Sequence, residues 1–140
     1  MKNIYYTFLI QELQDFESQG QDISMIKYIP DFFKILSDML DYEEVDKESR
    51  ILINAALGYF VSPDDVLPDD IYGPEGYVDD VFLCTYVIRK LYPSYKSLMK
   101  KLWNNNVDFE IAVEESYIKC KNYLMEKNFI ERILKYCGLE

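Results

Sequence analysis

Residues 51–91 read ILINAALGYFVSPDDVLPDDIYGPEGYVDDVFLCTYVIRKL, a stretch in which two apolar runs flank an acidic turn. The runs extend from Ile51 to Val61 and from Val81 to Leu91. Seven carboxylates lie between positions 64 and 80, and no basic residue occurs between Arg50 and Arg89. Each run is apolar on nearly every side at helical spacing. We therefore expect two central buried helices, over about 46–61 and 77–91, joined by an acidic turn that contains proline and glycine.

The rest of the chain also carries apolar residues at helical spacing, and no alternating strand pattern competes with it. Pro30 suits the first turn of one helix, and Pro93-Ser94 predicts the end of another. Further helices are expected over residues 4–16, 30–40, 95–103, 109–124 and 129–137. No repeat or linker divides the chain. These patterns predict an all-α fold, a compact single-domain bundle of about six or seven helices spanning residues 1–140.

Composition and charge restrict the partners. With 25 acidic and 15 basic side chains, the formal net charge is −10, which repels nucleic-acid backbones and anionic lipid headgroups. The stretch from Ile4 to Ile10 is interrupted by Thr7 and resembles no signal peptide, and no apolar run reaches the roughly 20 residues that span a bilayer. We expect a cytoplasmic protein that binds neither nucleic acid nor membranes.

The chain contains no histidine, which excludes catalytic triads and zinc sites built on that residue. The five glycines are scattered and form no phosphate-binding loop. The cysteines Cys84, Cys120 and Cys137 have no short spacing and fall within apolar helical patterns. We interpret them as reduced core residues rather than redox or metal ligands.

The residue types in the acidic turn predict helix caps and a tight turn. Ser62 can cap a short turn in which Pro63 occupies the first position. The segment from Gly73 to Gly76 predicts a tight reversal. If Gly76 caps the next helix, Asp79 and Asp80 are its third and fourth residues, where the helix dipole favours negative charge.

The turn resembles a known family, the YkvA-like proteins, also called domain of unknown function 1232. Their motif has the approximate form Tyr-x-x-Ser-Pro-x-Asp-Leu-Ile-Pro-Asp, a short loop with glycine, and then Asp-Asp. Residues 51–91 contain this core motif, with Tyr72 where the family usually has proline and a loop about one residue longer. The matching positions are Tyr59, Ser62, Pro63, Asp65, Val66, Leu67, Pro68, Asp69, Gly76, Asp79 and Asp80. The resemblance implies a small helical domain without an assigned activity.

Four of these carboxylates, Asp65, Asp69, Asp79 and Asp80, form the candidate site. Two unit charges about 5 Å apart repel by roughly 3 kcal/mol at an effective dielectric constant near 20, whereas a helix N-terminus returns only about 0.3–1 kcal/mol per charge. The carboxylates are therefore either spread and solvated, joined by a hard cation such as Mg²⁺ or Ca²⁺, or reached by lysines of the 95–103 helix. We favour structural capping over metal binding and partner docking.

Two functions follow from these alternatives. The first is a non-catalytic protein-interaction module that presents an acidic, tyrosine-rich surface to a protein partner or to a second copy of itself. The second is a divalent-metal-dependent hydrolase or phosphoesterase that uses the Asp65, Asp69, Asp79 and Asp80 cluster to activate water. We favour the first and assign no catalytic residue, because the 51–88 segment offers no general base or positive group beside such a metal.

Overall fold

The fold consists of α-helices joined by short connections. The computed structural model describes residues 2–61 and 73–139, and within them no strand occurs. The helices are α1 (Lys2–Ser18), α2 (Ile29–Met39), α3 (Lys47–Val61), α4 (Val78–Leu102), α5 (Phe109–Glu126) and α6 (Ile130–Tyr136), with a 3-10 turn at Pro74–Tyr77 before α4. The predicted all-α fold is confirmed, and the two predicted central helices correspond to α3 and the first part of α4.

Helix α4 lies at the centre of the bundle. It packs against α2, α3 and α5, while α1 covers α2 and α6 follows α5. Phe82, Leu83 and Ile88 of α4 are fully buried, as are Phe32 of α2 and Ile53 of α3. Burying an apolar side chain of this size contributes about 1.5–3 kcal/mol, so these contacts hold the helices together.

The structure corrects the expected end of the second central helix. Rather than stopping at Pro93-Ser94, α4 continues to Leu102 with a kink at Tyr95, whose φ is −128° and ψ is 26°. Pro93 has no N–H to donate to the preceding turn, which accounts for a kink at this point. The Tyr95 hydroxyl accepts a hydrogen bond from the Asp46 N–H at 2.9 Å, and Ser49 Oγ lies 3.2 Å from it. The kinked helix is thereby tied to the start of α3.

The connection from α2 to α3 is organised by Arg50. Its guanidinium donates to the carbonyl oxygens of Leu40 at 2.7 Å, Tyr42 at 2.5 Å and Val45 at 2.9 Å. These carbonyls follow the end of α2, where a positive charge is favourable. Asp46 accepts from the Ser49 N–H at 2.8 Å and so caps α3, and this bond lowers the pKa of the Asp46 carboxyl.

In the part of the chain that the structure describes, every helix is too short or too polar to cross a bilayer.

Candidate functional site

The site begins at the turn that leads into α4. Gly73 has a φ of +86°, a conformation that favours glycine, and a Cβ there would lie 2.8 Å from Nε2 of Gln21. The residue that precedes α4 is Tyr77, which makes no side-chain capping bond, and Gly76 lies within the 3-10 turn. The expectation that Gly76 caps α4 is therefore wrong. Asp79 and Asp80 are the second and third helical residues, one position earlier than expected.

Asp79 is a fully buried carboxylate, with none of its surface exposed. Its Oδ2 accepts a hydrogen bond of 2.5 Å from the Tyr59 hydroxyl on α3, and its Oδ1 accepts one of 3.0 Å from the backbone N–H of Asp80. A buried carboxylate needs such donors, because leaving it without them would cost several kcal/mol. The Tyr59–Asp79 hydrogen bond thus joins the last turn of α3 to the first turn of α4.

The three thiols lie within electrostatic range of this buried acidic pair. Cys84 and Cys120 are buried, Cys137 is half-buried, and all three are free. Burial, with a smaller contribution from Asp79, raises the pKa of Cys120 to about 12. Burial followed by the charges of Asp79 and Asp80 raises the pKa of Cys137 to about 11, and burial followed by Asp80 raises the pKa of Cys84. At neutral pH these thiols are protonated, poor nucleophiles and poor metal ligands.

Tyr77 connects the start of α4 to α1. Its hydroxyl donates to Oε2 of Glu12 at 2.8 Å, and its ring lies edge-on against Phe16 at 6.2 Å. Burial first, and the Glu12 hydrogen bond second, raise the pKa of the Tyr77 phenol. On the other side, the Tyr136 ring of α6 lies 5.7 Å from the Tyr59 ring. The start of α4 is therefore joined to α1 and α3, and α6 contacts the same end of α3.

The structure places two of the four predicted site residues. Asp79 and Asp80 are adjacent and buried, whereas Asp65 and Asp69 lie outside the described residues. Among the residues that are described, no group of three or more cysteine and carboxylate side chains is arranged to hold a metal ion. A Mg²⁺ or Ca²⁺ site formed by all four aspartates stays a prediction.

One of the three alternatives, in which lysines of the 95–103 helix reach the carboxylates, does not hold for Asp79 and Asp80. Lys96 lies sixteen residues beyond Asp80 on the same helix, which corresponds to about 24 Å of helical rise. Lys100 instead forms an ion pair with Glu110 of α5 at 3.0 Å, and the Lys101 ammonium lies 5.4 Å from the centre of the Tyr42 ring. These lysines do not neutralise Asp79 and Asp80.

A second feature is an open groove of about 500 Å³ between α4 and α5. Arg89 borders it, and its Nε donates to Glu114 Oε1 at 2.7 Å while the guanidinium lies 4.0 Å from the centre of the Tyr117 ring. Tyr92 and Phe109 line the opposite part. Of the charged groups that border the groove, Arg89 and Glu114 pair with each other, whereas Glu110 pairs with Lys100 and Lys90 lies over the Tyr86 ring.

The third feature is that α5 is apolar on two opposite faces. One face is buried and contains Phe109, Val113, Cys120 and Leu124. The opposite face carries the three side chains that we call the outer stripe: Ile111, Ile118 and Met125, which are 59%, 52% and 56% exposed. Sequence analysis missed the outer stripe, although its regular seven-residue spacing was an available signal.

The predicted tyrosine-rich surface is not observed. Tyr28, Tyr59 and Tyr95 are buried, and of the tyrosines in the described residues only Tyr136 is exposed. The remaining ones are half-buried, and all of these except Tyr6 pack against the hydrophobic core. Most of the exposed large apolar side chains in the described residues are instead aliphatic.

Comparisons with known proteins support the resemblance found in the sequence. Residues 49–86 match the model of a family described as "Protein of unknown function (DUF1232)", which confirms that resemblance. The chain is also 28% identical over 131 residues to "Uncharacterized protein ORF9" of Methanothermobacter thermautotrophicus, covering 93% of this chain and 87% of that protein. No solved structure is significantly similar to the chain. Neither relative's description assigns an activity.

Proposed function

We propose that this protein is a non-catalytic protein-interaction module that binds a partner through the outer stripe of α5. The observation that carries the proposal is the exposure of Ile111, Ile118 and Met125, each more than half exposed, along one face of an otherwise well-packed helix. Single exposed apolar residues are common on protein surfaces, but an aligned set rimmed by charged residues is typical of a binding surface.

The surroundings of the outer stripe fit this role. Glu114 and Lys121 lie along one side of it, and Glu115 and Asn122 lie along the other. A central apolar strip with a polar rim is the arrangement of most protein interfaces. A helix that presents apolar residues at this spacing can pack against another helix or into an apolar groove.

The acidic start of α4 has a structural role in this proposal. Both oxygens of the Asp79 carboxylate accept hydrogen bonds from within the protein, from Tyr59 and from the Asp80 N–H. These bonds fix α3 against α4, and α4 in turn supports the buried face of α5. The acidic pair therefore stabilises the platform on which the outer stripe is presented.

Site-specific photo-crosslinking tests the proposal. A photoreactive amino acid would replace Ile118 in the outer stripe or, as the matched control, exposed Glu48 on α3, in cells of the organism that encodes the chain. We expect ultraviolet light to join the chain to another polypeptide, or to a second copy, from position 118 and not from position 48. Absence of adducts at both positions, or equal adducts at both, would contradict the proposal.

A further inference from the structure

We propose that the outer stripe binds the outer stripe of a second copy of this chain, with the two α5 helices antiparallel and related by a two-fold axis near Ile118. This inference rests on the proposed function and specifies the partner. It follows from the spacing of the outer stripe and from the order of the charges beside it.

The spacing suits the pairing of two helices. Residues on an α-helix are separated by about 100°, so positions 111, 118 and 125 lie within about 40° of one another and about 180° from the buried face. A repeat of seven residues is the repeat with which two helices pack along a continuous seam. Ile118 is the middle residue, so an antiparallel pair places Ile111 of each copy opposite Met125 of the other.

The charges on the first side of the outer stripe are complementary in this arrangement. With this two-fold axis, the side of the outer stripe that carries Glu114 and Lys121 faces the same side of the second copy. Glu114 precedes Ile118 by four residues, and Lys121 follows it by three. Glu114 therefore lies within about 1.5 Å, along the helix axis, of the level of Lys121 in the second copy, and the contact occurs twice.

The residues on the second side of the outer stripe are also complementary in the antiparallel arrangement. There, Glu115 lies at nearly the same level as Asn122 of the second copy, whose amide can donate to a carboxylate. A parallel pair, in contrast, turns each side towards the opposite one and places Glu114 beside Glu115 of the second copy. The parallel pair thus brings two carboxylates together and lacks the Glu114–Lys121 contact, so the charge order favours the antiparallel arrangement.

The existing contacts of Glu114 and Lys121 are compatible with the pairing. Glu114 accepts from Arg89 through Oε1, and its side chain is still 50% exposed. A carboxylate can accept several hydrogen bonds, so it can bind both Arg89 and a lysine of the second copy. Lys121 lies over the Tyr117 ring at 5.5 Å, and its flexible stem allows the ammonium to extend towards Glu114 of the other chain.

The dimer is expected to be weak. A contact formed by one helix from each copy falls in the class of interfaces below about 1,200 Å², which are transient. The formal net charge of −10 on each chain also opposes association. We therefore expect a reversible dimer that is populated at high protein concentration.

Sedimentation equilibrium of the full chain tests the inference. Over about 10 µM to about 1 mM, a range matched to weak complexes, we expect a monomer–dimer equilibrium that Ile118→Glu abolishes. Ile51→Glu is the matched control, because Ile51 is 58% exposed but lies on α3. Both residues are exposed, so the variants should fold, and far-ultraviolet circular dichroism would verify this.

A charge exchange tests the orientation. Lys121→Glu should weaken the dimer at least tenfold, and adding Glu114→Lys to the same chain should restore at least part of that loss. A failure of this rescue would overturn the antiparallel arrangement. A wild-type chain that stays monomeric, or a dimer that Ile118→Glu leaves intact, would overturn self-association. If crosslinks from position 118 nevertheless join a different protein, the proposed function stands and only the identity of the partner is wrong.

Discussion

Asp79 illustrates how a charged residue is accommodated in the core. It lies in the first turn of α4, where the backbone N–H groups favour negative charge, and it accepts from Tyr59 and from the Asp80 N–H. The helix terminus alone contributes at most about 2 kcal/mol, which is less than the cost of burying a carboxylate. The hydrogen bond from Tyr59 is therefore needed to offset the cost of burying the Asp79 carboxylate.

Replacing Tyr59 with phenylalanine tests this assignment. Tyr59→Phe removes the hydroxyl and leaves Oδ2 of Asp79 without that donor, so we expect the free energy of unfolding to fall by about 1–3 kcal/mol. Urea denaturation followed by circular dichroism measures the change. Tyr6→Phe is the matched control, because Tyr6 is half-buried and its hydroxyl forms no hydrogen bond with the residues that the structure describes. Equal effects of the two substitutions would show that the Asp79 contact contributes little.

At the scale of single residues, the sequence identifies which side chains are unusual but not their partners. The Asp79-Asp80 pair and Tyr59 stand out in the motif. The hydrogen bond from Tyr59 to Asp79 joins positions 20 residues apart on different helices. Its formation depends on how α3 packs against α4. Local spacing carries no information on that packing. The burial of the pair, and its proximity to the three thiols, were inaccessible for the same reason.

At the scale of helices, the apolar periodicity predicts where each one lies. The predictions from the apolar periodicity are incomplete for α4 and for α5, for physical reasons. Helix α4 continues past Pro93 because packing and the hydrogen bonds of the Tyr95 hydroxyl hold both halves together in spite of the missing backbone donor. Helix α5 has apolar residues on two faces, and a pattern matched only to the buried face leaves Ile118 unexplained.

The connection between α2 and α3 yields a prediction at this scale. Arg50→Lys keeps the positive charge but replaces a planar group with several N–H donors by a compact ammonium that cannot reach three separate carbonyl oxygens. We expect the free energy of unfolding to fall by about 2 kcal/mol, since hydrogen bonds from a charged group contribute about 1.5–3 kcal/mol.

Urea denaturation monitored by Trp103 fluorescence measures this change. Arg132→Lys serves as the control, because Arg132 is exposed and lies 5.1 Å from the Phe129 ring. If Arg50→Lys is no more destabilising than Arg132→Lys, the guanidinium does not organise the connection.

At the scale of the whole molecule, a helical bundle carries an apolar stripe on the outside of one helix. The all-α class follows directly from the sequence, because helical spacing recurs along the chain without a competing strand pattern. The proposed function does not follow from the sequence, because the exposure of the outer stripe depends on the position of α5 at the outside of the bundle. The matching family and ORF9 are themselves without an assigned activity.

Thermal unfolding in the absence and presence of Mg²⁺, Ca²⁺ and Mn²⁺ separates the proposed interaction module from a metal-dependent hydrolase most directly. A site occupied at a hundredfold its dissociation constant stabilises the folded state by about 2.7 kcal/mol, which raises the midpoint by several degrees. We predict that none of these ions changes the midpoint of the wild-type chain. A rise with one of them that is lost in Asp69→Asn and in Asp79→Asn would contradict the structural role of the acidic residues and favour the enzyme.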